Sequence, residues 1–88
     1  MTHPPYHYYY QPRDSVLTFS EAMEVALRAN EHRGLWQTIP TNELIDKAHT
    51  AIAELQTATE ANDTKSIHHQ AVTVANYMMM VVDNANKI

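Results

Sequence analysis

The sequence predicts an all-α protein: a three-helix subunit with an extended N-terminal tail, assembling with further copies into a helical bundle oligomer. Three observations carry this reading. The single glycine and the four prolines stand at Pro4, Pro5, Pro12, Gly34 and Pro40, which leaves long stretches without a breaker, as long helices require. Within those stretches apolar residues recur at helical spacing. The last stretch, "HHQAVTVANYMMMVVDNA", is apolar on more than one side, which is the pattern of a helix packed against several neighbours.

Residues 1–17 read as an extended arm. Pro4, Pro5 and Pro12 bracket "YHYYYQ", and proline favours the extended polyproline form. Tyr6, Tyr8, Tyr9 and Tyr10 offer large rings with a hydroxyl, a combination suited to interfaces and pockets. Residues 18–88 read as the helical domain. The first helix is expected to start near Thr18, because Thr18 and Glu21 have capping-box spacing. Phe19, Ala22, Met23 and Ala26 then share a face, and Gly34 is the expected stop. The second helix is expected to start at Thr41, just after Pro40, with Glu43 facing the positive end of the helix dipole. Its apolar stripe is Leu44, Ala48, Ala51, Ile52, Leu55 and Ala58, and "ANDT" ends it. Asp63 or Thr64 caps the third helix. There Ile67, Ala71, Val74, Met78, Val81, Val82 and Ala85 form a narrow stripe, with Val72, Tyr77, Met79 and Met80 outside it.

Bulk composition narrows the function classes. A chain of 88 residues is one domain at most and buries only roughly 60–65% of its extended surface. It has no cysteine, so neither disulfides nor thiolate sites support it, and association of copies is the remaining common remedy. A formal charge of -4 argues against binding a nucleic-acid backbone. No apolar run approaches the ~20 residues that span a bilayer, and the start lacks the features of a signal peptide. The expectation is a cytoplasmic protein without a membrane or nucleic-acid partner.

Chemistry is expected between the second and third helices. Glu43, Lys47, Thr50 and Glu54 share one side of the second, beside its apolar stripe. Gln70, Thr73, Tyr77 and Met80 share one side of the third. Pairing the helices brings these sides together, and helix bundles build carboxylate metal sites at such places. Lys47 is spaced to pair with Glu43 at i, i+4. Asp46 with His49 and the adjacent His68 and His69 offer no matched metal set, and they read as solvated side chains.

The run "RGLWQTIPTNELIDKAHTAIAELQTATEANDTKSIHHQAVTVANYMMMVVDNA" resembles the MazG-like branch of the all-α nucleoside triphosphate pyrophosphohydrolases. The resemblance extends from about Ser20 to Ala85. Its markers are the tryptophan after a glycine, "AEL" late in the second helix and "VANYMMMVVDNA" in the third. It implies a MazG-like helical bundle, often found in short form in bacteriophages. It also implies magnesium-dependent release of pyrophosphate, with E-x-x-E on one helix and E-x-x-D on the next. Carried over residue by residue, the first motif falls on Ala51 and Glu54 and the second on Gln70 and Thr73. Only Glu54 is an acid. Magnesium needs hard oxygen ligands and dehydrates reluctantly, so one carboxylate makes a poor site.

The expected protein is therefore not an enzyme and has neither a metal site nor a cofactor. It binds a nucleotide or nucleotide-derived signal, as a phage-encoded sponge against host defence would. The expected ligand-binding residues are Tyr8, Tyr9, Tyr10, Arg13, Arg33, Trp36, Lys47, Glu54, Gln70, Thr73, Asn76 and Tyr77. Aromatic residues supply stacking, Arg13, Arg33 and Lys47 contact phosphates, and Gln70 and Asn76 read a base edge. The competing readings are a protein-binding inhibitor or scaffold directed at a host protein, and a residual hydrolase.

Overall fold

Helix α1 opens after an extended residue that follows proline. The computed structural model describes residues 11–86. Arg13, after Pro12, is extended (φ -61, ψ 152), and α1 then runs over Asp14–Ala29. The start lies earlier than the Thr18 capping box suggests. Asp14 puts a negative charge in the first turn against the helix dipole, and nothing from Ser15 to Leu17 opposes helix formation. Residues 14–17 therefore belong to the helical domain and not to the arm. Residues 1–10 lie outside the described residues.

The end of α1 also comes before the predicted stop. Asn30 folds its side-chain amide back onto the Ala26 carbonyl (2.8 Å), and a 3₁₀ turn over Glu31–Arg33 follows. Gly34, with φ 95, terminates that turn, a backbone state that glycine adopts without strain. The predicted face of Phe19, Ala22, Met23 and Ala26 is the half-buried one. No residue of α1 is fully buried, and the helix lies on the outside of the last helix of the chain.

A second 3₁₀ turn, Trp36–Thr38, leads into α2 at Thr41–Glu60, with Pro40 as its N-cap. This link is fastened to the far end of the chain. The Trp36 indole donates to Asp83 Oδ2 (2.9 Å), and the Asn84 amide donates to the carbonyls of Trp36 (3.3 Å) and Ile39 (3.4 Å).

Helix α2 ends in a Schellman motif built on asparagine. Asn62 takes the left-handed conformation (φ 55), the Asp63 amide donates to the Ala58 carbonyl (3.0 Å) and the Asn62 amide to Thr59 (3.1 Å). Asp63 then caps α3, Thr64–Ala85, receiving Ser66 N–H on one oxygen (3.2 Å) and Ser66 O–H on the other (2.7 Å). Those two bonds from Ser66 hold the Asp63 carboxyl below its ordinary range.

The antiparallel α2–α3 pair is the heart of the fold. Its buried residues on α2 are Leu44, Ala48, Ala51 and Ala58, so alanine methyls let the two backbones approach. Among the described residues Leu44 alone is a large side chain with no exposure. On α3 the buried residues are Val72 and Asn76, not the apolar stripe read from the sequence. Met78 and Val82 of that stripe are 41% and 60% exposed. The reason is geometric: α2 and α1 both pack on α3, and they leave its apolar stripe only half-covered, with Ile67, Ala71, Val74 and Val81 half-buried and Met78 and Val82 open. On α2, Ile45 and Ile52 are likewise exposed. The described residues form no strand, and none of their helices is long and apolar enough to cross a membrane.

Candidate functional site

An open groove of about 400 Å³ runs along the α2–α3 pair. From α2 it is lined by Lys47, Thr50, Ala51 and Glu54; from α3, by His69, Gln70, Thr73 and Tyr77. Lys47, Thr50, Glu54, Gln70, Thr73 and Tyr77, grouped by sequence spacing, thus come together, whereas Glu43 and Met80, grouped with them, do not line the groove. Both helices are uninterrupted through this stretch, and their spacing of three and four residues keeps each set on one side. A second hollow of about 460 Å³ continues it toward the α2–α3 turn. Thr50, Glu54 and Gln70 border both, and Asp63 and Ser66 line the far end.

At the junction Gln70 Nε2 donates to Glu54 Oε2 (3.0 Å). The groove's carboxylate is therefore partnered by a neutral amide. Thr50 and Thr73 direct their hydroxyl hydrogens into their own helices, onto the Asp46 carbonyl (3.3 Å) and the His69 carbonyl (2.9 Å). Their oxygens keep acceptor capacity toward the groove. Lys47 does not pair with Glu43: the ion pair formed among the described residues joins Arg28 to Glu24 at 3.0 Å. The Lys47 ammonium is left to solvent and to the groove.

The remaining expected site residues lie elsewhere. Asn76 is buried against α1, donating to the Met23 carbonyl (3.2 Å), and is not part of the groove lining. Its position one residue before Tyr77 rotates it about 100° away. Trp36 spends its only side-chain donor on Asp83 and anchors the link between α1 and α2. Arg13 and Arg33 are exposed at the two ends of the α1 region, and neither lines the groove. Tyr8, Tyr9 and Tyr10 lie outside the described residues. Beyond the expected ligand-binding residues the groove includes Thr50 and Ala51, already placed here by spacing and by the motif, and His69, which was not. His69 was readable: it precedes Thr73 by one helical turn and shares its side.

Magnesium, which the MazG-like resemblance implies, does not suit these residues. Ala51 carries no ligand atom, and Gln70 uses its amide N–H on the one acid present. Among the described residues no three His, Cys, Asp or Glu side chains gather into a metal-holding group.

Comparison with protein-family models, curated proteins and solved structures gives no match for this chain.

Proposed function

We propose that the chain is a non-catalytic, MazG-like protein that binds a nucleotide or nucleotide-derived signal in the α2–α3 groove. The observation that carries this reading is the convergence of Lys47, Glu54, Gln70, Thr73 and Tyr77 on one groove. A free ammonium, a phenol and a partnered carboxylate give a polyfunctional ligand several fixed points. The groove's volume lies at the lower end of the range for small-molecule sites. Binding is independent of divalent cations, because Glu54 is satisfied by Gln70. Titration calorimetry against mono- and triphosphates with and without EDTA tests this. Affinity that EDTA abolishes refutes the metal-free reading, and no affinity for any nucleotide refutes the binding role. Pyrophosphate release from nucleoside triphosphates in magnesium is expected to stay at background.

The binding unit in this reading is an oligomer in the cytoplasm. Ile45 and Ile52 of α2 and Met78 and Val82 of α3 supply apolar surface for a second copy. A second reading, a protein-binding inhibitor or scaffold, draws support from Val25 and Leu35, which are 69% and 68% exposed. Large apolar side chains this open suit a partner of another kind.

A further inference from the structure

The groove has two chemically different ends. The Glu54–Gln70 bond sets the register of the antiparallel pair. Seven residues back along α2 and seven forward along α3 lie Lys47 and Tyr77, which line the same groove. Two helical turns therefore separate the ends, about 10 Å at the rise of an α-helix. One end offers donors: the Lys47 ammonium and the Tyr77 hydroxyl. The other offers a carboxylate, which only accepts. The Gln70 amide steadies that carboxylate and occupies one of its several lone-pair positions.

Resting on the nucleotide-binding reading above, we infer that the groove selects guanine nucleotides, with the phosphate at Lys47 and Tyr77 and the base edge at Glu54. The separation of the two ends matches the reach from base edge to phosphate in a mononucleotide. Guanine presents two adjacent donors, N1–H and the exocyclic amino group, and a carboxylate receives both side by side. Adenine and cytosine place a ring-nitrogen lone pair against the carboxylate beside their single amino group. Uracil offers one N–H between two carbonyl oxygens. Each of these sets acceptor against acceptor, and an unmatched polar contact costs more than a missing one. Lys47 supplies one positive charge, which suits one phosphate and gives a triphosphate no added hold when no metal is present.

Calorimetry on the full chain in EDTA tests this with guanosine, inosine and adenosine 5′-monophosphates. Guanosine monophosphate is expected to bind roughly tenfold or more tightly than adenosine monophosphate. Inosine monophosphate, which keeps N1–H but lacks the amino group, falls between. Glu54→Gln replaces two acceptors by a donor and an acceptor, and shifts the preference toward adenine. Lys47→Ala weakens all three nucleotides and leaves their ratios unchanged. Glu54 is exposed, so its isosteric variant keeps the fold, and circular dichroism verifies that. Equal affinity for the three nucleotides, or an adenine preference in the wild type, overturns the guanine selection while leaving nucleotide binding in place. Absence of binding to all three overturns the binding reading and this inference with it.

Discussion

The bond from Trp36 to Asp83 permits a quantitative test of how the link between α1 and α2 is held. The perturbation is a double-mutant cycle of Trp36→Phe, Asp83→Asn and the pair. The indole N–H meets a carboxylate oxygen at 2.9 Å, and both residues are half-buried. A hydrogen bond to a charged group contributes about 1.5–3 kcal/mol. Partial solvent access places this one near the lower end, so the expected coupling is about 1.5 kcal/mol. Trp36→Phe keeps most of the ring packing and removes the donor. At about 4–8 °C per kcal/mol for a domain of this size, it should lower the melting temperature by roughly 6–12 °C. Urea denaturation followed by circular dichroism measures all four proteins, at one fixed concentration because association shifts apparent stability. Single effects that add within about 0.5 kcal/mol would mean that the two side chains do not interact, and would refute the clasp.

Other expectations follow from the same packing. Light scattering at micromolar concentration should give a mass above the 10.1 kDa of one chain, and Met78→Glu together with Val82→Glu should return it to that mass. A wild-type mass of one chain would dismiss the apolar face as an interface. Leu44→Ala removes the one large, fully buried side chain among the described residues and should destabilise by about 2–5 kcal/mol in denaturant titration; a loss under about 1 kcal/mol would show that the α2–α3 seam does not depend on it. Asp63 has a folded-state value below its ordinary 3.8, so its capping contribution is full above that value and is lost as pH falls through the lower folded value. The stability gap between wild type and Asp63→Ala should therefore be wide near about pH 7 and shrink progressively as pH falls below 3.8. A gap independent of pH would assign the stabilisation to something other than the ionised cap.

The sequence was most legible where local chemistry decides. Pro40 and the "ANDT" turn mark the ends of α2, and Asp63 caps α3 through its own side chain, with no help from distant residues. The groove was legible for a related reason. Once two helices are uninterrupted, residue spacing alone assigns the sides of Lys47, Glu54, Gln70 and Tyr77. What escaped depends on contacts between elements. The apolar stripe of α3 leaves Met78 and Val82 exposed, and nothing in the local pattern says that Val72 and Asn76 are the buried residues instead. Asn76 looked like a ligand group because a polar residue in an apolar helix needs a partner. Its partner is the Met23 carbonyl, far away in sequence. The start of α1 was obscured by a capping box at Thr18 that the longer helix simply runs through.

Ala51 occupies the helix seam and the groove wall at once, at 5% exposure. That double position gives mutation a direction. Shortening a side chain here lets α2 and α3 close, and the closed seam then resists any return. A glutamate at this position would either wedge the helices apart or bury a charge with no partner, a change of several kcal/mol. Thr50, one residue earlier and exposed, accepts an acid freely. Substitution is thus expected to be tolerated on the groove's rim and costly at its wall. A saturation library should reveal the contrast: broad tolerance at Thr50 and Thr73, and near-exclusive retention of small residues at Ala51.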